Sequence, residues 1–258
     1  DPHVVMDLHV TNGTFMGYHL TFAPPLSPNT PEAIDADLRD RWIPAIQHEA
    51  EASGGWYFDW IEEHYGQVER HIGVEYYMPV PETLPDNVEW ITNTVGDMNQ
   101  VPDQSVDLLF SGQNIEHLWL PDMVGFLAEA FRVVRPGGHL VMDSPNRDMT
   151  ELLGWSQPEH TVELSVPEAE TALRLAGFEP TRTVGLWHIS DGRTTRPFEP
   201  LDDADGVLRS IKGLDRPNES FVWWIEAVRS GEPDLHALKE HLHDVFEAHW
   251  PERMQRMI

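Results

Sequence analysis

The sequence predicts an α/β domain, a mainly parallel β-sheet with helices on both faces, preceded by an N-terminal cap and followed by a C-terminal helical extension. Three observations lead there. Short apolar runs alternate with amphipathic stretches over the middle of the chain. The connections between them are short and carry Gly, Pro, Asn and Asp. One run, "VDLLFSG" from Val106 to Gly112, is apolar almost throughout, as a strand covered on both faces requires.

In chain order, "LHVTNGTFMGYHLTFAPPLSPNTP" alternates like a strand pair around Asn12-Gly13 and passes into a proline-rich connector, so residues 1–45 are expected to form an extension or cap. Within it Thr30, Pro31 and Glu32 open a helix that ends before Pro44. The core is expected over residues 46–190. There "WYFDWIEEHYG" has helical spacing and stops at Gly66, while "ERHIGVEYY", "NVEWITNTV" and "SVDLLFS" are strands. "PDMVGFLAEAFRVV" is an amphipathic helix, "RPGG" a turn, and "HLVMDSPN" a strand with a polar end. "SVPEAETALRLAGF" is a helix capped by Ser165 and closed by Gly177, and "EPTRTVGLWHIS" is a strand. Residues 191–258 are expected to be a flap followed by helices. Asp191 to Arg216 is loop-like, and both "ESFVWWIEAVRSG" and "EPDLHALKEHLHDVFEAHW" show helical spacing. The second of these helices should turn Leu235, Leu238, Leu242, Val245 and Phe246 inward.

Composition narrows the chemistry. The 258 residues include no cysteine and 14 histidines, so disulfides and thiolate metal sites are excluded and any metal must use oxygen and imidazole ligands. The formal charge is -27, and Lys212 and Lys239 are the two lysines, which disfavours phosphate backbones and anionic lipids as partners. Such acidity fits a salt-rich habitat or a solvated acidic face. No segment approaches the roughly 20 apolar residues of a membrane helix, and no charged-then-apolar leader opens the chain, so a cytoplasmic protein without membrane or nucleic-acid partners is expected.

The polar cluster behind "VDLLFSG" is the first candidate site. Parallel strands of open α/β folds carry their chemistry at their carboxyl ends. Here Gln113, Asn114, Glu116 and His117 follow directly. An imidazole near its ordinary pKa can take a proton at neutral pH, so His117 is a candidate general base and Glu116 a group that orients it or binds metal. A Glu-His pair with a purely structural role is the competing explanation.

From about Ala50 to Asn146 the chain carries, in order, "GVEYY", "VGDM", "SVDLLFS", "IEHLWLP", "FLAEAFRVVRPGGHLVM" and "SPN". This series resembles the class I S-adenosylmethionine-dependent methyltransferases of the type 11/12-like group. The resemblance implies a Rossmann-like, seven-stranded, mainly parallel sheet and S-adenosyl-L-methionine as cofactor. It implies that Glu75, followed by Tyr76, holds the ribose hydroxyls, a task suited to an acidic strand end. It implies that Asp97 accepts the adenine amino group, with Met98 lying on the ring, and that Ser111 lines the cofactor site at the end of its strand. The methionine part should meet an acidic residue followed by glycines, best matched by Glu51, Ser53, Gly54 and Gly55 in "HEAEASGGW". "VVMDLHVTNGT" looks more like the required strand but lies about three times too far from Glu75 for a βαβ unit of about 30 residues.

A subset of the family, including ubiquinone-pathway and small-RNA 2'-O-methyltransferases, has an "E-x-x-E-H" run and a later histidine that hold a divalent ion. This chain is similar in part, with "Q-N-I-E-H" at Gln113 to His117 and with His160 in "QPEHTVELS". The implied ligands are Glu116, His117 and His160, with Gln113 as a weak fourth, for Mg²⁺ or another divalent metal. Trp119, Trp155, Trp187, Trp223, Trp224 and Tyr57 are candidate platforms for a flat or sugar acceptor, though aromatic residues are as often core. The expected function is O-methyl transfer to a hydroxyl of a sugar or saccharide. Two alternatives stay open: methylation of an aromatic or lipid-like small molecule, and a catalytically silent methyltransferase-like binding protein. A homodimer is left open as well.

Overall fold

Seven strands stand in the order β3-β2-β1-β4-β5-β7-β6 in the computed structural model, which describes residues 4–9, 70–76, 80, 86, 88–189 and 211–257. They are β1 (Val4–His9), β2 (Arg70–Glu75), β3 (Val88–Thr92), β4 (Val106–Gly112), β5 (Val134–Pro145), β6 (Phe178–His188) and β7 (Ser220–Arg229). The pairs from β3 through β5 are parallel, and β7 runs antiparallel to both β5 and β6. The helices of eight or more residues among the described ones are α1 (Leu120–Val133), α3 (Val166–Leu175) and α4 (Leu235–Met257), with a shorter α2 (Arg147–Leu153) after β5.

Both faces of β4 are covered, which explains its unbroken apolar sequence. Leu109 joins the main core with Leu140, Met142, Phe126 and Leu127, and Leu108 packs on the other side with Val141, Val184 and Trp224. Each such side chain contributes about 1.5–3 kcal/mol relative to exposure. The main core lies between the sheet and α1, whose Met123, Phe126, Leu127, Ala130 and Val133 recur at helical spacing. On α3 the Glu168 carboxylate accepts the Ser165 N–H at 2.8 Å, one half of a capping box.

Four expectations are corrected. The segment "VVMDLH" is not part of a cap over residues 1–45; it is the central strand β1, paired with β2 from Val4↔Arg70 to Asp7↔Gly73 and with β4 from Val5↔Leu108 to His9↔Gly112. The length of the connection misled the spacing argument, because loop-closure entropy grows only logarithmically; tripling a loop costs about 1 kcal/mol. The segment "FVWWIEAVR" is not a helix but part of β7, inserted between β5 and β6, so Ser220–Arg229 belongs to the sheet instead of packing on it. A short run this apolar has no period to read, and its β-branched and aromatic residues favour a strand.

"RPGG" lies inside β5 as a register irregularity between Val106↔Val134 and Leu108↔His139. Gly137 has φ of 73° there, and a Cβ on Gly138 would meet the Asp107 carbonyl oxygen at 3.0 Å, so both positions need glycine. Finally, α4 buries Leu238, Leu242, Val245 and Phe246, but Leu235 in its first turn is 43% exposed. Of the expected flap over residues 191–216, residues 191–210 lie outside the described residues and 211–214 are helical; the helices expected at 30–43 and 56–66, and Tyr57, lie outside them as well. No described helix is long and apolar enough to cross a membrane.

Candidate active site

The strand order reverses between β1 and β4, with β2 and β3 to one side and β5 to the other. In open α/β sheets the crevice at such a switch point, beyond the carboxyl ends of the strands, is where ligands bind. Those ends are His9 on β1 and Gly112 on β4, which are register partners. The polar cluster begins at the next residue.

Gln113 takes up the turn. Its φ is 48°, a left-handed conformation uncommon for a residue with a side chain, and its N–H is held by Asp143 of β5, at 2.8 Å from the side-chain Oδ1 and 3.1 Å from the backbone oxygen. The chain then makes one 3₁₀ turn, Ile115–His117, with Ile115 buried in the core as an anchor. Glu116 and His117 are thereby fixed at the mouth of β4 by a strained turn on one side and a buried isoleucine on the other.

The second half of the cluster comes from the loop between α2 and α3. Thr161 fastens it to the first half. Its N–H donates to the Glu116 carbonyl at 2.7 Å, and its hydroxyl lies 3.1 Å from the same oxygen and 2.5 Å from the Leu118 carbonyl. That latch sets His160 against His117, with ring centroids 4.7 Å apart and planes at 82°. Trp155 stands edge-on to the His160 ring at 5.7 Å. One ligand atom each from Glu116, His117 and His160 lie within 4.8 Å of one another, the one such group of three among the described residues.

Glu116 is fully buried, and neither of its carboxylate oxygens has a hydrogen bond of ordinary geometry. Burial pushes its carboxyl well above the usual carboxylate range; its own amide and the Ser144 hydroxyl pull partly back, and the charges of Asp143 and Glu163 push it up again. Glu163 is buried too, but its oxygens are used: Oε1 lies 2.6 Å from His160 Nδ1, and Oε2 accepts the Thr150 hydroxyl at 2.5 Å. The fit to a cation follows from this donor set. Among the described residues, the buried Glu116 carboxylate and the two imidazoles of His117 and His160 are a mixed oxygen and nitrogen donor set that could hold a cation, with Asp143 and Glu163 also buried.

The other sequence-predicted residues divide. Glu75 ends β2 and is half-buried, and Tyr76 after it is exposed. Asp97 is exposed in the turn after β3, where its Oδ2 accepts from Asn99 at 3.3 Å. Ser111 is buried beneath Asn114, whose amide donates to its hydroxyl at 3.2 Å. Gln113 is buried in the same loop as Glu116.

Met98 is a correction: it is 0% exposed inside the main core instead of lying open as a plate, and its N–H is tied to Glu129 of α1 at 2.7 Å. Glu129 is in turn held by Arg132, whose guanidinium keeps the carboxyl below its ordinary range. Glu51, Ser53, Gly54 and Gly55 lie outside the described residues. The strand that reaches the switch point is β1, so no strand ahead of Glu51 is needed there.

Of the tryptophans, Trp223 and Trp224 are core. They point to opposite faces of β7, with the Trp223 indole N–H on the Leu164 carbonyl at 2.9 Å. Trp155 and Trp187 are half-buried. Trp119, two residues beyond His117, is 52% exposed and meets Trp250 of α4 edge-on at 4.9 Å. Sequence reasoning missed Glu163, Thr161, Thr150 and Asp143. The signal available for the first two was the unusual run of polar residues, "EHTVELS", between two helices.

Residues 52–142 match the family described as methyltransferase domain. The match takes in β2, β3, β4, α1 and most of β5, while β1 lies upstream of it. A probable S-adenosylmethionine-dependent methyltransferase of Mycolicibacterium smegmatis is 44% identical over 91 residues, 34% of this chain and 34% of that protein. One of Mycobacterium tuberculosis is 41% identical over 124 residues, 46% of this chain and 44% of that protein. The aligned stretch thus spans less than half the length of these relatives. A solved S-adenosylmethionine-dependent methyltransferase from Archaeoglobus fulgidus superposes with a TM-score of 0.48 at 12% identity, over 88% of this chain and 86% of that one, a score too low to establish a shared fold by itself. The segment from residue 52 to residue 142 is thus similar to methyltransferase domains, and it lies within an α/β sheet of the order described above.

Proposed function

We propose that this protein transfers a methyl group from S-adenosylmethionine to a hydroxyl of a sugar or saccharide, assisted by a divalent ion held by Glu116, His117 and His160. The observation that carries the proposal is the orphaned Glu116 carboxylate within reach of two imidazoles at the carboxyl ends of β4 and β5. Mg²⁺ is a poor partner for imidazole, so an ion that accepts mixed nitrogen and oxygen ligands, such as Mn²⁺, suits the set better. Gln113, in the same loop, would add only a neutral amide oxygen, which leaves Glu116 as the single anionic ligand.

S-adenosylmethionine supplies an electrophilic methyl on sulfonium, and the ion, when bound, lowers the pKa of an acceptor hydroxyl. The residues of the chain do the rest. Glu75, at the carboxyl end of β2, holds the ribose, and Asp97, exposed after β3, takes the adenine amino group. His117 is half-buried at the mouth of the site; with the ion bound its unprotonated nitrogen would be a ligand and the acidified hydroxyl would lose its proton to solvent, and without an ion the same nitrogen would take the acceptor's proton. Trp119, exposed beside it and braced by Trp250, offers an apolar face on which a sugar ring can stack, which favours a saccharide. The acidic charge of the chain speaks against a polynucleotide acceptor.

Turnover on a panel of saccharide and small aromatic acceptors, before and after chelation, tests this. Chelation should abolish methyl transfer while calorimetric binding of S-adenosylhomocysteine stays nearly intact, and His160→Ala should reproduce the same separation. Activity that survives chelation but is lost in His117→Ala would make His117 an unassisted base. No binding of S-adenosylhomocysteine at millimolar concentration would leave only a binding protein.

A further inference from the structure

Two buried glutamates flank the histidine pair, and they are in opposite states. Glu116 has both oxygens without an ordinary hydrogen bond, whereas Glu163 has both engaged, one by His160 Nδ1 and the other by Thr150. We propose that Glu163 is a positioning residue that holds His160 in its Nδ1–H tautomer and so makes Nε2 the unprotonated nitrogen of the ring.

The chemistry of the contact argues for it. An ionised carboxylate only accepts, so a 2.6 Å contact between Glu163 Oε1 and Nδ1 requires the proton on Nδ1. With Nδ1 committed, Nε2 is the nitrogen that His160 has to offer. A neutral imidazole free in water prefers the opposite tautomer, with the proton on Nε2, so the preference has to be imposed by a neighbour. Thr150 makes the imposition rigid: its hydroxyl sits 2.5 Å from Glu163 Oε2 and 3.1 Å from the Arg147 carbonyl, pinning the carboxylate to the first turn of α2. Thr161, next to His160, is pinned independently to Glu116 and Leu118. His160 is thus fixed in position by one contact and in proton placement by another. A carboxylate behind a ligating imidazole is the arrangement that orients such rings and raises their basicity toward metals.

The proposal uses the ion assignment made above only for its effect on affinity; the tautomer stands by itself. The test uses the full chain, stripped of metal, with ¹⁵N-labelled histidine. Long-range ¹H–¹⁵N correlation at pH 8 reads the tautomer of His160, assigned by its loss in His160→Ala, and calorimetry with MnCl₂ reads ion affinity. Wild type should show Nδ1–H. Glu163→Ala should move the proton to Nε2 and weaken Mn²⁺ binding by about 10–100-fold, the usual effect of losing such a partner.

Glu163→Gln, whose amide oxygen can still accept from Nδ1, should keep the tautomer and lose less affinity, and it covers the case in which the alanine variant fails to fold. A wild-type His160 with its proton on Nε2, or an unchanged tautomer in Glu163→Ala, overturns the proposal. If the tautomer follows Glu163 while wild type binds no Mn²⁺, the positioning role is upheld and the ion assignment is the part that fails.

Discussion

Replacing Glu116 by glutamine should stabilise the metal-free protein at alkaline pH and destabilise its response to a divalent ion. Glu116 is 0% exposed, and neither carboxylate oxygen has a hydrogen bond of ordinary geometry, so its own amide and the Ser144 hydroxyl offset the loss of water only in part. Its carboxyl titrates well above the ordinary range when folded, mainly because of burial. The unfolded chain therefore releases this proton at lower pH than the folded one. Folding stability is fully present below the ordinary carboxylate range and is lost as pH rises from there through the raised folded pKa. Glutamine fills the same volume without that titration.

The magnitude follows from the missing partner. A buried polar group left unsatisfied costs about 1–3 kcal/mol, and a charged one no less. In a domain of this size 1 kcal/mol shifts Tm by about 2–4 °C. With chelator present at pH 8, Glu116→Gln should melt about 2–12 °C above wild type, and at pH 5 the gap should close. Added Mn²⁺ should invert the order, because an ion at 100 times its Kd adds about 2.7 kcal/mol to the form that binds it, and glutamine removes the anionic ligand. Differential scanning calorimetry at the two pH values, with chelator and with Mn²⁺, measures all four numbers. A Tm difference that is the same at pH 5 and pH 8 would refute the link between Glu116 ionisation and stability.

Two other outcomes are expected. Glu75→Ala should weaken S-adenosylhomocysteine binding by about 1.5–3 kcal/mol, the range for hydrogen bonds to a charged group, with Tm nearly unchanged because Glu75 is half-buried at a strand end; equal affinity by calorimetry would remove it from the cofactor site. Thr161→Val keeps the shape but leaves the Leu118 carbonyl without its hydroxyl donor, so a loss of about 1–2 kcal/mol in urea unfolding is expected, together with weaker Mn²⁺ binding. Stability lost at unaltered ion affinity would show that the latch holds the loop and not the histidine.

Much of the sheet was legible because its strands are apolar runs bounded by turns. β2, β3, β4, β5 and β6 fall where periodicity places them, and α1, α3 and most of α4 follow from helical spacing. Two of the four corrections have one cause. "VVMDLH" and "FVWWIEAVR" are recognisable as apolar, but partner choice is a non-local fact. Parallel pairing of β1 with β2 across residues 10–69, and insertion of β7 between β5 and β6, depend on contacts that no local window contains.

The candidate site divides in the same way. Glu116 and His117 were visible because a covered strand ended in polar residues, and His160 because a known arrangement asked for a histidine after the next strand; these three do come together. Met98 was misplaced because a pattern gives residue type without direction, and this methionine turns into the core. Glu163 and Thr161 were passed over because a glutamate and a threonine in a loop look like solvated surface, even within the run "EHTVELS". Only burial changes their meaning. Burial shows that Glu163 is dry with both oxygens engaged, by His160 and by Thr150, while Glu116 is equally dry and its oxygens have no hydrogen bond of ordinary geometry. The two glutamates are alike in sequence and differ only in what the fold brings to them.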